Sequence, residues 1–498
     1  MISTGSAVQE TPDFRILSRG QMDAIHDASM EILAQTGVRV YNDEAIALLR
    51  DAGAFVGSDS TVRIPAHLID WAVSASPRNV TVYDRNGCEA MQLGRRRTYF
   101  GTGSDTPNVI DPHSGERRPA LLADVGNFAR VCDALAHIDF VMCSGIASDK
   151  EPAAAELHHF LAMLRNTTKP MVYTALDLTA AHRLLEMASM VAGGRDAFRQ
   201  RPFAVMYIEP VSPLGFAPTV MQKLLFCAEN DIPCIFISGM LGGATGPITE
   251  AGSLALANAE SLAGVLIAQL KRKGAPVISG GGILGMDMRA AISSYSSPEF
   301  MLTMAALAEL AQYYGLPSWG YAGCTDAKGF DEQAAADTAN WVMMAALSGS
   351  NLVHDVGFVE SGMAASFDQL VFANEMIGKC ARILGGIHVD KESLAVGVTH
   401  EVGPGGQFLG HKHTAKHYRS NWVPELEDRL THANWVNQGS LTMRERVNVK
   451  VRRLLEGHTP EPMSADLDVQ LSSLVDAAET SVGLPELRER VDLPVGEI

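Results

Sequence analysis

The feature that most constrains the fold of this chain is a repeated alternation of short apolar segments and helical segments between Asp124 and Val398. The apolar segments are continuous and rich in β-branched residues, which is typical of parallel strands buried on both faces. They comprise residues 139–145, 170–176, 203–210, 233–239, 276–282, 317–323 and 351–357. A stretch with helical spacing of its apolar residues follows each one, and a further strand is predicted near residues 393–397.

A strand–helix unit that repeats in this way predicts an α/β protein with a closed (β/α)₈ barrel, the TIM barrel. An open, doubly wound sheet is the alternative, although the first strand-to-helix turn lacks the GxGxxG motif of a dinucleotide-binding fold. We expect a mixed helical and β N-terminal region at residues 1–118, the barrel at 119–400, and a bridge with a helical tail at 401–498. Ser18 and Asn42 are predicted to cap the first two helices.

Charge and composition exclude several classes of protein. The chain has 40 basic and 57 acidic residues, a net charge of −17, and no basic stripe, which argues against a nucleic-acid-binding protein. An acidic protein can attract cationic ligands. The N-terminus lacks a signal-peptide pattern and no long uncharged apolar stretch is present, so we expect a cytoplasmic protein that does not enter membranes. The seven scattered cysteines fit reduced thiols, and large barrels commonly form homo-oligomers.

Polar side chains are concentrated where the predicted strands end. In a barrel these positions face one shared mouth, so the polar stretch "YAGCTDAKGFDEQ" at residues 321–333 is expected to line a site. The candidates collected at strand ends are Thr174, Tyr207, Glu209, Ser238, Met240, Cys324, Asp326, Lys328, Asp331, Gln333, His354, Asp355, Phe358 and Glu360.

Each candidate also has a structural interpretation. Asp326 and Asp331 could cap or begin a helix, and His354 could be a hydrogen-bonded core histidine.

The segment "HKHTAKH" places His413 and His417 four residues apart, a spacing that metal sites use on helices. No cysteine ligand or HExxH motif accompanies these histidines, so no tightly bound metal is expected.

Four stretches resemble the trimethylamine methyltransferase family, in the right order and over nearly the whole chain. They are residues 17–40, 99–120, 323–378 ("GCTDAKGFDEQ…NEMIG") and 402–429 ("VGPGGQFLGHKH…ELEDR"). The resemblance implies a barrel that transfers a methyl group from an amine to the cobalt of a corrinoid (cobalamin) carried by a partner protein, within one-carbon metabolism. All residues are standard, so the chain is similar to the branch without pyrrolysine, which includes glycine betaine methyltransferases.

The resemblance and the chemistry together suggest roles for the candidates. Attack on a quaternary ammonium expels a neutral amine, so the protein's tasks are orientation, cation recognition and exclusion of water. Aromatic faces can hold the ammonium, and a betaine carboxylate would need donors such as His354, loop amides or Lys328. The expected catalytic residues are Asp105, Glu209 and His354, and the expected substrate-binding residues are Tyr207, Cys324, Lys328, Phe358 and Glu360.

Three other functions stay open from the sequence. A lysine near a barrel strand end can form a Schiff base, so Lys328 could serve a lyase or aldolase. Cys324 or the histidine cluster could serve a zinc-activated methyltransferase. The chain could also be a betaine-binding protein without catalytic activity.

Overall fold

A computed structural model describes residues 1–4 and 11–482, and its centre is a parallel barrel. Each strand pairs in parallel with the next, and residues 140 and 141 close the ring through bridges to Gly101 and Met171. The closed-barrel prediction is therefore confirmed. The strands are Arg97–Phe100, Met171–Tyr173, Ala204–Ile208, Cys234–Phe236, Val277–Gly280, Ser318–Tyr321 and Leu352–His354.

One predicted strand is wrong. Residues 393–397 lie in a turn and at the start of the helix Val396–Val402, and none of them is buried. The strand Arg97–Phe100 takes its place in the ring, because it buries Tyr99 and Phe100 against the strand Leu352–His354. The division at residues 118 and 400 stays a proposal, and this strand lies inside the first of the three segments.

A helix follows every position of the barrel ring, and each of the seven helices predicted from the sequence is present. The side chain of Asp331 accepts a hydrogen bond from the N–H of Ala334 at 2.9 Å, so this aspartate caps its helix. The helices are Leu122–Ala134, Ala155–Asn166, Leu178–Ala192, Pro218–Asn230, Glu250–Lys271, Pro298–Tyr314, Glu332–Ser348 and Phe367–Leu384, and Arg195–Gln200 is a short additional helix.

The N-terminal region packs outside the barrel, against the helix Glu250–Lys271. The two predicted caps are confirmed, since Ser18 accepts from the N–H of Gln21 and Asn42 from the N–H of Ala45. The elements here are Ile2–Ser3, Arg19–Glu31, Ile32–Thr36 (a π-helix), Val38–Val40, Asp43–Asp51, Phe55–Val56, Thr61–Arg63, Ala66–Ala75, Val80–Tyr83 and Glu89–Leu93.

The loops that follow the barrel strands contain short strands and turns. They are Asn108–Ile110, Arg117–Pro119, Gly215–Phe216, Leu241–Gly242, Leu284–Asp287, Ile292–Ser294, Phe358–Val359, the 3₁₀ turn Glu360–Gly362, and Ala364–Ser366. After the barrel come Val396–Val402, Lys412–His417, the 3₁₀ turn Tyr418–Ser420, His432–Asn437, Met443–Gly457 and Ala465–Val482. The last two helices pack back onto barrel helices.

One described helix, Glu250–Lys271, has the length and hydropathy of a membrane span. It lies mostly buried between the barrel strands and the N-terminal helices. Its apolar surface is therefore covered by the fold itself.

Candidate active site

Aromatic side chains from neighbouring barrel strands surround His354. The ring centroids of Trp319 and Tyr321 lie 4.3 and 4.4 Å from the His354 ring, and the Tyr207 ring lies 6.3 Å away. Trp319 and Tyr321 are two positions apart on one strand, so both side chains point to the same side of the sheet. The barrel thus brings residues that are widely separated in sequence into one aromatic cluster.

Glu209 extends this cluster toward the mouth. The Tyr207 hydroxyl donates a hydrogen bond to Glu209 Oε2 at 2.8 Å. The carboxyl group also presses against the end of the next strand, because a Cβ placed on Gly239 would lie 1.3 Å from Glu209 Oε1. Only glycine at position 239 leaves room for this carboxyl group.

His354 and Asp355 form a buried pair beside the aromatic rings. His354 Nδ1 lies 2.9 Å from the carbonyl oxygen of Gly320, so Nδ1 carries a hydrogen and donates to it. His354 Nε2 lies 3.1 Å from Asp355 Oδ1. Burial lowers the pKa of His354 to about 3 and raises the pKa of Asp355 well above its ordinary value, so the shared proton sits on Asp355.

Gly103 lies on the loop after the strand Arg97–Phe100, and its lack of a side chain lets Asp355 and Phe358 approach this loop. A Cβ at this position would lie 2.1 Å from Asp355 Oδ1 and 2.5 Å from Phe358 Cζ. Phe358, a predicted substrate-binding residue, is buried at this point. Asp355 has φ of +71°, which turns its carboxyl group toward Gly103 rather than along the strand.

Asp105, Glu209 and Asp355 share an unusual electrostatic environment. Burial raises the pKa of all three carboxyl groups, and no lysine or arginine among the described residues lowers it. Hydrogen bonds from Ser104 and Thr174 reach Asp105, and Asp105 and Glu209 both remain accessible to solvent. Glu209 acts on the pKa of Asp355, so these two carboxyl groups lie close together beside the aromatic cluster, and we call the space around Glu209, Tyr207 and the His354–Asp355 pair the recess. It lacks a positive charge and is suited to a cationic ligand.

Three other predicted residues contribute no free side chain to this recess, although Cys324 lies near enough to Asp355 for that carboxyl group to act on the pKa of its thiol. Cys324 is fully buried, and burial raises the pKa of its thiol well above the ordinary value, so no thiolate is available. Lys328 is exposed and its Nζ donates to the backbone oxygen of Asp326 at 2.7 Å. Glu360 is paired with Arg117, whose Nε lies 2.7 Å from Glu360 Oε2.

Asp326 organises the loops around the recess. Its carboxylate accepts hydrogen bonds from Ser294 Oγ at 2.5 Å, from the Tyr295 N–H at 2.7 Å and from Ser361 Oγ at 2.7 Å. These bonds join the loops that follow three barrel strands. Asp326 is thus a structural residue that positions Tyr295, rather than a free carboxylate of the site.

Comparison with known proteins assigns this chain to one family. The family model described as trimethylamine methyltransferase (MTTB) matches residues 3–483. The chain belongs to this family. It is 33% identical over 97% of its length to the trimethylamine methyltransferase MttB of Desulfitobacterium hafniense strain DSM 10664 / DCB-2, covering 98% of that protein. It is 29% identical over 95% of its length to the glycine betaine methyltransferase of D. hafniense strain Y51, covering 99% of that protein.

Among solved structures, the monomethylamine methyltransferase MtmB of Methanosarcina barkeri is 11% identical to this member of the trimethylamine methyltransferase family. The alignment covers 96% of this chain and 97% of that chain, with a TM-score of 0.48. The barrel itself is defined by the strand order of the present chain. As a member of the family, the protein is a methyltransferase.

The placement of Lys328 argues against the Schiff-base alternative within this family member. A Schiff-base lysine is activated by desolvation in an apolar pocket or by a neighbouring cation, whereas Lys328 is in solvent.

The rings of His413 and His417 lie 4.4 Å apart. Across residues 1–4 and 11–482, no three His, Cys, Asp or Glu side chains are grouped so that they could hold a metal ion.

Sequence reasoning missed several residues of the recess. Trp319, Tyr321 and Tyr295 were absent from the candidates, although Tyr321 and Cys324 both act on the pKa of Tyr295 and place it beside the site. The signal for Trp319 and Tyr321 was present, since alternate residues of a barrel strand share one side. Tyr295 lies on a long loop after the strand Val277–Gly280, and sequence periodicity carries no information about such a position.

Proposed function

We propose that this methyltransferase moves a methyl group from a quaternary or tertiary methylamine to a corrinoid carried by a separate protein. The observation that carries the proposal is the recess where Glu209 and Asp355 meet aromatic rings without any lysine or arginine to neutralise them. A methylated ammonium group supplies the missing positive charge and presents methyl groups to the rings.

The aromatic rings and the carboxyl groups would share the recognition of this cation. A ring face contributes about 0.5–2 kcal/mol to binding an ammonium group, and Tyr207 is the ring hydrogen-bonded to Glu209. The positive charge on nitrogen fades as the methyl group leaves. A site that binds the cation too tightly would favour the substrate over the transition state, so carboxyl groups with raised pKa suit this reaction better than a dense anionic cage.

The same carboxyl groups make both kinds of amine chemically reasonable. A quaternary amine leaves as a neutral tertiary amine and needs no proton. A tertiary amine leaves as a secondary amine only if its nitrogen holds a proton, and a carboxyl group with raised pKa retains a proton that it can share with that nitrogen. The recess thus supports methylated amines as a class.

The barrel mouth fits a large partner better than a resident cofactor. A corrinoid supplies the nucleophile for the methyl group, and it is too large to enter the interior of an eight-stranded barrel. The loops that follow six positions of the barrel ring each expose large apolar side chains, which together form an apolar rim suited to docking. The rim residues are Ile146, Leu176, Val211, Ile248, Met288, Ile292 and Met363.

The test is methyl transfer to free, reduced cobalamin with a panel of methylated amines. We expect methylcobalamin with at least one quaternary or tertiary amine, and at least a tenfold loss of kcat/KM in Glu209→Gln. Glu360→Gln is the matched control, because Glu360 is already paired with Arg117. An amine that binds without methyl transfer, to free cobalamin or to a corrinoid protein, would instead support a binding protein.

A further inference from the structure

Glu260 is a fully buried carboxyl group on the helix Glu250–Lys271, which packs against the outside of the barrel strands. Burial raises its pKa, and no lysine or arginine that the structure describes pairs with it. A carboxyl group without a cationic partner is costly in such a place, and an apolar side chain of similar volume would pack there at less cost to stability. We therefore expect Glu260 to do something other than stabilise the helix.

The Glu260 carboxyl group accepts hydrogen bonds from two loops at the barrel mouth. Its Oε1 accepts from the N–H of Leu214 at 2.6 Å, and its Oε2 accepts from the hydroxyl of Ser212 at 2.8 Å. The Ser238 hydroxyl also bonds to this carboxyl group and lies 3.0 Å from the hydroxyl of Ser212. Ser212 and Leu214 follow one barrel strand, and Ser238 follows its neighbour in the ring. One side chain thus joins the ends of two adjacent strands.

The strand ends that Glu260 joins are the two that hold the Glu209 carboxyl group. Glu209 lies three positions before Ser212 on the first of them. Its carboxyl group fills the space that a side chain at Gly239 would need, directly after Ser238 on the second. Glu260 is also near enough to act on the pKa of Glu209. A shift of one strand end relative to the other would therefore displace the Glu209 carboxyl group.

The loop that contains Leu214 is held from the N-terminal region as well. The carbonyl oxygen of Leu214 accepts from the N–H of Arg39 at 2.9 Å, and the strand Gly215–Phe216 pairs in parallel with Val38–Val40. The Leu214 peptide groups are thus fixed by two partners, Glu260 at the N–H and Arg39 at the carbonyl oxygen. Both partners restrict the loop that begins just after Glu209.

We propose that Glu260 is a positioning residue that fixes the two strand ends around Glu209 and so sets the place of Glu209 in the recess, an inference that rests on the proposed function of Glu209. Glu260 is fully buried, so it acts on a bound amine only through Glu209. Its three hydrogen bonds, rather than a contribution to overall stability, are what the reaction requires of it.

The test is the affinity of the full-length protein for tetramethylammonium, measured by calorimetry. We expect Glu260→Met, which has a similar volume but no oxygen acceptor, to raise the dissociation constant at least fivefold. Glu260→Gln keeps one oxygen acceptor and should recover part of the affinity. In a Glu209→Ala background, Glu260→Met should change the constant less than twofold, because the positioned group is gone. An equal loss in both backgrounds would indicate a general structural role and overturns the proposal.

Smaller variants cover the case in which Glu260→Met fails to fold. Ser238→Ala removes one hydrogen bond to Glu260. Ser261→Ala is its matched control, because Ser261 is buried on the same helix as Glu260 and its hydroxyl has no partner among the described residues. We expect Ser238→Ala to weaken tetramethylammonium binding at least twofold and Ser261→Ala to leave it unchanged. Equal affinity in these two variants overturns the proposal.

Hydrogen exchange separates this inference from the proposed function. If tetramethylammonium does not bind the wild type, or binds Glu209→Ala equally well, the proposed function of Glu209 fails, and exchange then decides whether Glu260 holds the strand ends. In Glu260→Met we expect the amides of residues 204–216 and 234–242 to exchange at least tenfold faster, while the other barrel strands keep wild-type protection. Unchanged exchange in both segments, or equally faster exchange throughout the barrel, overturns the proposal.

Discussion

His354 Nε2 lies 3.1 Å from Asp355 Oδ1, and these consecutive residues face each other because Asp355 has a left-handed backbone conformation. His354 Nδ1 is committed to the Gly320 carbonyl, so a neutral imidazole can only accept at Nε2. The pair therefore holds one proton on Asp355 and keeps both groups uncharged inside the barrel.

This pairing predicts an acid-dependent contribution of His354 to stability. Because burial lowers its pKa to about 3, the histidine stabilises the fold at pH values above its ordinary pKa of about 6.5, and this contribution is lost as the pH falls from there toward 3. We expect the stability advantage of the wild type over His354→Gln to shrink by up to roughly 3 kcal/mol between pH 7 and pH 4. Urea unfolding of both proteins at each pH measures it, and a pH-independent difference contradicts it.

Binding of a cation in the recess should release protons. Burial raises the pKa of Glu209, and a nearby ammonium group favours the ionised carboxylate and lowers that pKa. We expect the affinity for tetramethylammonium to rise with pH until the raised pKa of the free enzyme is passed. Calorimetry in buffers of different ionisation enthalpy counts the protons, and Glu209→Gln should release fewer of them than the Glu360→Gln control.

The close contact between Gly239 and Glu209 predicts that a side chain as small as alanine at position 239 has a strong effect on activity. In Gly239→Ala the new Cβ would occupy the position of Glu209 Oε1, so the carboxyl group must move away from Tyr207. We expect a loss of at least tenfold in kcat/KM for the amine. Gly410→Ala, where a Cβ meets no atom within 4 Å, should retain wild-type kinetics. Equal activity in the two variants would show that the Glu209 position is unimportant.

The apolar rim predicts that variants at the mouth slow methyl transfer to a corrinoid protein but leave transfer to free cobalamin unchanged. Leu176→Glu and Ile248→Glu place charge on exposed loops at the mouth. We expect at least a fivefold higher KM for a corrinoid protein and an unchanged rate with free cobalamin, because only the protein needs the rim. Val469→Glu, far along the C-terminal tail, serves as the control. Equal effects on both acceptors would argue against a docking role.

The charge of the recess predicts which amines are preferred. No lysine or arginine lowers the pKa of Asp105, Glu209 or Asp355, and Lys328 lies in solvent. A carboxylate placed close to the ammonium group would meet acidic neighbours without a cation to receive it. We expect tetramethylammonium or choline to have at least tenfold higher kcat/KM than glycine betaine, and a reversed order in the methylcobalamin assay would contradict this.

The sequence by itself determined the local elements. Continuous apolar runs predicted seven of the barrel positions, and Ser18, Asn42 and Asp331 marked helix starts, because strand burial and helix capping depend on residues close together in the chain. It also brought Tyr207, Glu209 and His354 into one predicted site, since strand ends share the mouth of a barrel.

Only the tertiary structure decided how the ring closes and which polar groups meet. The strand Arg97–Phe100 replaced residues 393–397 because burial against neighbouring strands selects the closing strand, and no local pattern reports that burial. The same holds for Tyr295, for the Asp355 carboxyl turned toward Gly103, and for the exposure of Lys328. Each depends on contacts between residues distant in sequence, whose geometry is fixed only when the barrel closes.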